Sequence, residues 1–337
     1  MRYEHGGRAA LTRSTMRPAV GLVAGAIMGL TAADAAAQNW IMASGYPEDN
    51  FHTINIREFI ADVEETTDLT IDLQSNDTLI KLDAIKTAVQ RGQVPIGEIR
   101  LGVYGNEDPM YILAGLPFIA STYSQAWMLK DLQDEYFQDL FADAGMRVLF
   151  YSPWPGQGFY TQFPVTGVED FEGRKLRIYS TATQEMGELL GFEATILPFA
   201  EIPQAFSTGL IEALFTSPQT GIDIQAWDNT SHFTYAGAIF SKNAVIVNEA
   251  MFQSLDRDTR DAVLAAAEAA ELRAWEMSSA TTREQIGILE ENGMVTTDAP
   301  QSVIDRMIEI GDTMMATWRE DASPEAEAIL DRFLAVR

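Results

Sequence analysis

The chain has 337 residues, enough for two domains, and it carries 49 acidic against 23 basic residues, a net charge of −26. That excess of negative charge argues against nucleic acid and anionic membrane surfaces as partners. Since there is no cysteine, disulfides and thiol chemistry are excluded. An anionic ligand would have to be captured by a local positive site, against the field of the whole molecule.

Residues 1–37 have the composition of a secretory signal peptide. Four arginines precede an apolar run at 19–30, and Ala35-Ala36-Ala37 offers a cleavage site before Gln38. The run is about 12 residues long, whereas a membrane-spanning helix needs about 20. We therefore expect cleavage of this segment, with either Met1 or Met16 as the start, and a soluble mature protein in the periplasm.

Strand and helix patterns alternate over the next part of the chain. The predicted strands are 39–45, 69–74 and 101–104, and the predicted helices are about 53–66 and 75–91. This alternation predicts an α/β lobe with a largely parallel sheet, whose ligands lie beyond the carboxyl ends of the strands. The loops 46–52 and 104–109, which contain His52 and Asn106, are therefore candidate site segments.

Histidines are too few for a metal site, because His232 is the only one besides His52 beyond the signal segment. For each of them a purely structural role is the alternative interpretation.

After a predicted helix at 123–144 and a strand at 147–151, an unusual loop occupies residues 152–161. Its Gly156-Gln157-Gly158 lacks the third glycine of a dinucleotide-binding loop, and no helix pattern follows, so we expect no nucleotide cofactor. Trp154, Phe159 and Tyr160 make the loop aromatic, and it contains no arginine. These rings are interpreted either as ligand-contacting walls or as packing between lobes.

The segment 168–218 holds the strongest candidate for an anion site. A short strand at 175–179 places Arg177 ahead of a helix start at Ser180. A guanidinium group matches a carboxylate with two hydrogen bonds, and a helix N-terminus adds free N–H groups. The alternative is an ordinary surface arginine in an ion pair. A predicted helix at 202–208 and a strand at 211–215 follow, ending in Thr216-Ser217-Pro218.

The remaining elements are mostly helical. We predict a helix at 219–228, a strand at 244–248, a long alanine-rich helix at 256–292, and two final helices at 300–318 and 324–334.

The motifs D-F-E-G-R-K-L-R at 170–177, L-P-F-A-E at 197–201, F-S-T-G-L-I-E-A at 206–213 and S-P at 217–218 occur in fixed order. In this the chain resembles the periplasmic solute-binding subunits of TRAP (tripartite ATP-independent periplasmic) transporters. The resemblance implies an α/β, two-lobed periplasmic binding protein fold, type II-like, with one long helix spanning both lobes. Lobe I would comprise 38–161 plus about 243–282, and lobe II 162–242 plus about 283–337.

The resemblance also implies a site. The arginine matching Arg177 binds the carboxylate of an organic acid in this family. The strand that matches 211–215 usually ends in a polar site residue before proline, often asparagine, where this chain has Ser217. Many relatives carry a second arginine after a Gly-Phe pair, but here Tyr160 follows Gly158-Phe159.

A single arginine among aromatic rings suits a monocarboxylate with an apolar or aromatic body. Further substrate contacts are expected from these residues: Ser217, Thr216 and Asn106 as hydrogen-bonding groups, Trp154, Phe159, Tyr160, Phe215 and Phe199 as walls, and His52 beside the mouth.

The predicted function is thus capture of an organic acid and its delivery to the membrane subunits of a TRAP permease. We expect a monomer that needs no cofactor or metal, binds no nucleic acid and is not an enzyme. No catalytic motif is present, but a glycosidase needs only two carboxylates, so a periplasmic enzyme stays open as an alternative, as does a ligand sensor.

Overall fold

The structure is a computed structural model that describes residues 38–337; the predicted signal peptide lies outside the described residues. The described chain contains eleven strands: β1 (Asn39–Ala43), β2 (Thr70–Gln74), β3 (Ile96–Arg100), β4 (Met146–Pro153), β5 (Gly158–Thr161), β6 (Lys175–Ile178), β7 (Glu193–Ile196), β8 (Ala213–Thr216), β9 (His232–Tyr235), β10 (Lys242–Asn248) and β11 (Val295–Asp298).

The same part of the chain contains eleven α-helices: α1 (Phe51–Thr66), α2 (Ile85–Gln90), α3 (Met110–Leu113), α4 (Tyr123–Asp143), α5 (Thr181–Leu189), α6 (Ile202–Ser207), α7 (Pro218–Asp223), α8 (Glu249–Ser254), α9 (Arg257–Glu291), α10 (Gln301–Asp321) and α11 (Pro324–Leu334). Side-chain caps fix several of their starts. Asn50, Ser180, Ser217 and Asp256 each accept a hydrogen bond from a backbone N–H in the first turn that follows.

Two sheets form the cores of two lobes. The first sheet has the order β2-β1-β3-β10-β4, with β1 parallel to β2 and β3, and β10 antiparallel to both of its neighbours. The second has the order β11-β9-β5-β8-β6-β7 and is also mixed. Since β10 lies between β3 and β4 and its K-N-A-V-I-V-N sequence is buried throughout, it ties the later chain back into the first lobe. The predicted two-lobed α/β fold is confirmed.

The helix α9 spans the lobes, as predicted. It packs on α1 and β4 of the first lobe and on α7 and β11 of the second. Between these two regions, Thr281 and Thr282 bond the carbonyls four residues earlier, and Tyr123 donates from its hydroxyl to the Ser278 carbonyl at 2.7 Å. None of the helices in residues 38–337 is long and apolar enough to cross a membrane.

Several predicted boundaries differ from the structure. The segment Leu101–Tyr104, predicted as a strand, is a 3-10 turn; the strand is Ile96–Arg100, which pairs with both β1 and β10. The segment Gly158–Thr161, predicted as part of a loop, is β5, because it lies between β8 and β9 and bonds to both. The predicted helix 219–228 ends at Asp223 and resumes only as a 3-10 turn.

The expected division into lobes also differs in two places. Strand β5 was placed in lobe I, yet it pairs within the second sheet, so the chain first passes between sheets after Pro153. Helix α11 was placed in lobe II, yet it packs on α4, which covers the first sheet. The chain therefore returns to the first lobe at its C-terminal end.

Candidate functional site

A small cavity of about 20 Å³ lies between the lobes. Its lining combines residues of the first lobe, of the second lobe, and of the two segments 154–157 and 236–241 that join the sheets. The lining residues are Tyr46, Arg100, Trp154, Gln157, Arg177, Tyr179, Phe199, Thr216, Ser217, Thr220 and Ser241.

Arg177 is the most deeply enclosed charged group of this cavity. It lies on β6 and is 1% exposed. Its Nε and Nη2 donate to the Leu197 carbonyl oxygen at 3.1 and 2.9 Å. Burial, together with the charge of Arg100, lowers the pKa of Arg177 to about 9. The only acceptor that holds the guanidinium is thus a neutral carbonyl. A bound anion would offset the free-energy cost of burying the positive charge.

A second arginine reaches the same cavity from the first lobe. Arg100 ends β3, is almost fully buried, and donates from Nη2 to the Asp83 carboxylate at 3.1 Å. Its Nε has no hydrogen-bond partner within residues 38–337. Its guanidinium carbon lies 5.5 Å from the ring centre of Tyr179, and that of Arg177 lies 5.8 Å from the same ring. Both guanidinium groups therefore lie within 6 Å of the centre of one shared aromatic ring.

Neutral polar groups complete the cavity between the lobes. The Tyr179 hydroxyl donates to the Gln157 Oε1 at 2.8 Å, and Gln157 Nε2 donates to the Ser241 hydroxyl at 3.0 Å. The Tyr46 hydroxyl is buried without a hydrogen-bond partner among the described residues. Because buried polar atoms are normally paired, this hydroxyl and the Arg100 Nε are available to a polar ligand.

The start of α7 supplies the remaining polar wall. Ser217 is its N-cap: the Ser217 hydroxyl accepts from the Thr220 backbone N–H at 3.2 Å. Tyr160 lies behind this turn and donates from its hydroxyl to the Ser217 carbonyl at 3.1 Å. Thr216 ends β8 beside it and lines the cavity. The predicted hydroxyl pair at 216–217 is thus at the cavity.

Trp154 is held by a buried polar chain in the first lobe. Its Nε1 donates to the Asn243 Oδ1 at 2.8 Å, and Asn243 Nδ2 donates to the Glu98 carboxyl at 2.8 Å. Ser44 donates to the other oxygen of Glu98 at 2.6 Å. Burial raises the pKa of Glu98 to about 7. The chain fixes the orientation of the indole ring, which forms one wall of the cavity.

His52 lies behind Trp154, with ring centres 4.3 Å apart, and does not line the cavity. Its Nδ1 is 3.9 Å from a Glu98 oxygen, and burial lowers the pKa of His52 to about 3. The imidazole is therefore neutral. Within the described residues no group of three or more His, Asp or Glu side chains could hold a metal ion.

Four more predicted site residues lie away from the cavity. Phe159 and Phe215 are register partners on β5 and β8, and their rings pack 4.9 Å apart in the core of the second lobe. Tyr160 supports α7 from behind. Asn106 is exposed on the turn after residues 101–104. Among the predicted walls, Trp154 and Phe199 remain at the cavity.

Several lining residues are not predicted from the sequence. Tyr46 lies in a loop that was singled out, but Arg100, Gln157, Tyr179 and Ser241 were not identified as site residues. The alternation on β6 placed Tyr179 on the face of Arg177, which was the available signal for it. A polar residue at the carboxyl end of a parallel strand is a site candidate. Arg100 holds that position on β3, but the predicted strand at 101–104 began only after it, so this indication was lost.

The chain is similar to known solute-binding proteins over most of its length. Residues 42–321 match the family described as bacterial extracellular solute-binding protein, family 7. DctP7, a Bordetella pertussis extracytoplasmic solute receptor binding pyroglutamic acid, is 37% identical in sequence; its structure covers 88% of this chain and 99% of its own, with a TM-score of 0.86.

Two further proteins are similar along most of the chain. A marine metagenome TRAP solute binding protein specific for pyroglutamate is 32% identical, covering 89% of this chain and 99% of its own, with a TM-score of 0.86. The ectoine-binding periplasmic protein TeaA of Halomonas elongata is 22% identical over 255 residues, which is 73% of this chain and 74% of TeaA.

Proposed function

Because the chain belongs to the bacterial extracellular solute-binding proteins of family 7, the solute receptors of TRAP transporters, we propose that it captures a small monocarboxylate in the periplasm. Pyroglutamate, a five-membered lactam with one carboxylate, is the first candidate. Delivery to the membrane subunits of a TRAP permease, as a monomer and without chemical change of the ligand, completes the proposal.

The charge balance of the cavity is the observation that carries the choice of a monoanion. Arg100 is paired with the Asp83 carboxylate. Arg177 bonds only to a backbone carbonyl, and it makes no salt bridge within residues 38–337. The pair contributes no net charge and Arg177 contributes one positive charge. One carboxylate balances the site, whereas a dicarboxylate leaves a buried charge uncompensated.

The neutral groups favour a ligand that is polar as well as anionic. The Tyr46 hydroxyl and the Arg100 Nε need partners, and the hydroxyls of Thr216 and Ser241 can both donate and accept. A lactam offers one N–H donor and one carbonyl acceptor beside its carboxylate. Trp154 and Phe199 supply apolar surface for a small ring.

The positions of the side chains do not support the expectation that the ligand has an aromatic body. It depended on one arginine and on four rings, of which Phe159, Tyr160 and Phe215 lie outside the cavity lining. A second arginine, Arg100, is present instead. Both changes favour a compact polar acid.

The test is calorimetric titration of the mature protein with pyroglutamate, proline, succinate and phenylacetate. Proline keeps the ring and carboxylate but has a protonated amine in place of the neutral lactam. Succinate adds a second carboxylate, and phenylacetate replaces polar groups with an aromatic ring. We expect pyroglutamate to bind most tightly. The variant Arg177→Ala should weaken it by at least about tenfold, since a charge-assisted hydrogen bond contributes roughly 1.5–3 kcal/mol.

A matched control is Arg174→Ala, which removes an exposed arginine just before the same strand and should leave the affinity unchanged. Succinate or phenylacetate binding more tightly than pyroglutamate would contradict the proposed ligand. Recovering the bound ligand unchanged after incubation separates a receptor from the periplasmic-enzyme alternative. Loss of uptake on deletion of the permease genes separates transport from sensing.

A further inference from the structure

One hydrogen bond joins the two lobes at the edge of the site without involving any cavity-lining residue. Asn50 Nδ2, in the first lobe, donates to the Asp223 Oδ2, in the second lobe, at 2.8 Å. Asn50 directly precedes α1, and Asp223 is the last residue of α7. The contact therefore exists only while the lobes are together.

The Asn50 side chain is fixed on the first lobe by its other polar atom. Asn50 is fully buried, and its Oδ1 accepts from the His52 backbone N–H at 2.8 Å as the N-cap of α1. The amide group cannot rotate without losing this cap, so Nδ2 stays directed at the second lobe. A buried amide donor needs an acceptor, and Asp223 supplies it.

The Asp223 side chain is similarly fixed on the second lobe. Its Oδ1 accepts from Gln219 Nε2 at 2.7 Å, and Gln219 Oε1 accepts from Gln285 Nε2 at 2.8 Å on α9. Asp49 is the charged neighbour on the facing lobe, and its charge adds to burial in raising the pKa of Asp223. Each partner of the bond is thus oriented by its own lobe before the lobes meet.

Both partners are also close in sequence to cavity-lining residues. Ser217, the N-cap of α7, lines the cavity, and the helix ends at Asp223, about 9 Å away at 1.5 Å per residue. Asn50 is in the loop that begins with Tyr46, whose ring packs edge-on against Phe199 of the second lobe at 5.7 Å. A ligand that positions Ser217 and Tyr46 would also bring Asp223 to Asn50.

We propose that Asn50 and Asp223 form an inter-lobe latch that stabilises the closed protein and so sets ligand affinity without touching the ligand. The idea rests on the proposed function, in which an acid is bound in the cavity between the lobes, and it adds that the lobes close around the bound acid. The latch is separate from ligand recognition: the cavity residues select the acid, and the latch determines how long the lobes remain together around it.

The test exchanges the two side chains. Asn50→Asp keeps a side-chain oxygen to cap α1, because Asp and Asn are equivalent N-caps, but it places a carboxylate against Asp223. At pH 8 we expect pyroglutamate affinity to fall at least about tenfold. Adding Asp223→Asn restores the pair with its roles exchanged, so that the amide at position 223 donates to the carboxylate at position 50. This double variant should recover most of the lost affinity.

Two controls accompany the exchange. Gln93→Asp adds the same negative charge at an exposed position of the first lobe and should leave the affinity unchanged. Thermal unfolding of each variant shows whether it is folded. A single variant as tight as the wild type, or a double variant weaker than Asn50→Asp, would overturn the latch.

A second readout does not depend on the identity of the ligand. Since the chain has no cysteine, spin labels can be placed at Glu65→Cys and Glu193→Cys, one exposed position in each lobe. Pulsed electron spin resonance then gives the distribution of distances between the lobes. Asn50→Asp should shift it towards longer distances, and the exchanged pair should restore it.

The two readouts separate the failure modes. If the wild type binds none of the four acids while the distances respond as expected, the proposed ligand is wrong and the latch stands. If the acid binds while the distances and affinities ignore the exchange, the latch is wrong and the proposed function stands.

Discussion

Arg177 is enclosed on nearly all sides, and its surroundings stabilise its positive charge only weakly. It is 1% exposed, beside a second arginine, and bonded to one neutral carbonyl. Proteins retain such a cation where an anion is to be bound, because the ligand then supplies the compensating charge. The positive charge of Arg100 is already compensated by the Asp83 carboxylate. Asp83 therefore determines the net charge that the site offers to a ligand.

The first prediction concerns this pairing. Asp83→Asn leaves Arg100 in place but removes its negative partner, so the cavity gains one net positive charge. We expect the ratio of succinate to pyroglutamate affinity to rise by about tenfold, since one additional opposite charge is worth roughly 1–2 kcal/mol at a partly exposed site. Competition titrations with the two acids give this ratio directly.

The control is Asp72→Asn, which removes one negative charge at an exposed position of β2 in the same lobe. It should leave the succinate-to-pyroglutamate ratio as it is. An equal change in both variants would mean that net charge, rather than the Arg100 pair, controls selectivity.

Helix α7 shows how one short element is placed by a close approach. Gly221 lies against Tyr160, and a Cβ added at Gly221 would be 2.0 Å from the Tyr160 hydroxyl oxygen. That hydroxyl in turn bonds to the carbonyl of Ser217 at the start of the helix. The absence of a side chain at one position therefore lets a tyrosine hold the polar wall of the cavity.

Gly221→Ala should displace α7 from Tyr160, destabilise the protein by about 1–3 kcal/mol and weaken ligand binding, because Ser217 and Thr220 move with the helix. Urea unfolding gives the free energy of unfolding, and calorimetry gives the affinity.

Gly287→Ala is the matched control, also in a helix. Apart from its two chain neighbours and the backbone of its own helix, no atom lies within 4 Å of the position of its added Cβ. Alanine is a better helix former than glycine, so this variant should be more stable by about 0.5–1 kcal/mol. If both variants were stabilised, the contact between Gly221 and Tyr160 would not be limiting.

The proposed latch couples closure of the lobes to protonation of Asp223. Burial raises the pKa of Asp223 to about 7. If separation of the lobes exposes Asp223 to water, as the proposed latch implies, its pKa falls back towards the usual value of about 3.9. A group whose pKa is higher in the closed protein takes up a proton on closing. Its contribution to closure is fully present below the lower pKa and is lost as the pH rises through 7.

The third prediction is that pyroglutamate affinity increases as the pH falls from 8 to 6, by up to about tenfold for a group with pKa near 7. Titrations in buffers of constant ionic strength measure it. Glu98 also has a pKa of about 7, but it lies within the first lobe. The variant Asp223→Asn isolates the contribution: it should flatten the profile, and an unchanged profile would assign it to another group.

The fold was largely accessible from the sequence because its elements carry local signals. Helix α11 runs from Pro324 to Leu334 as predicted, and α9 was placed to within one residue at each end, since Asp256 caps it and alanines fill it. Strand β5 was not predicted, because it is only four residues long and the nearby Pro155 and two glycines are typical of a loop. Its pairing with β8 and β9 makes it a strand.

The candidate site was accessible only in part, for a different reason. Arg177, Thr216 and Ser217 lie at strand ends of the second lobe and could be found from local pattern. Phe159 and Phe215 could not be assigned, because strand alternation gives two faces but not which one meets the cavity. Arg100 comes from the first lobe, and its approach to Arg177 is created by the packing of the lobes rather than by any spacing in the chain.

The long helix adds a mechanical consequence. At 1.5 Å per residue the 35 residues of α9 extend over about 50 Å, and Ser278 lies about 30 Å from the N-terminal end. Hydroxyl groups that bond back to carbonyls of the preceding turn, as at Thr281 and Thr282, are a known cause of helix bending. With a lever arm of that length, a bend of about 10° moves the far end by roughly 5 Å. A gentle curvature change, with the backbone ladder of α9 intact, is then enough to admit or release a molecule the size of an amino acid.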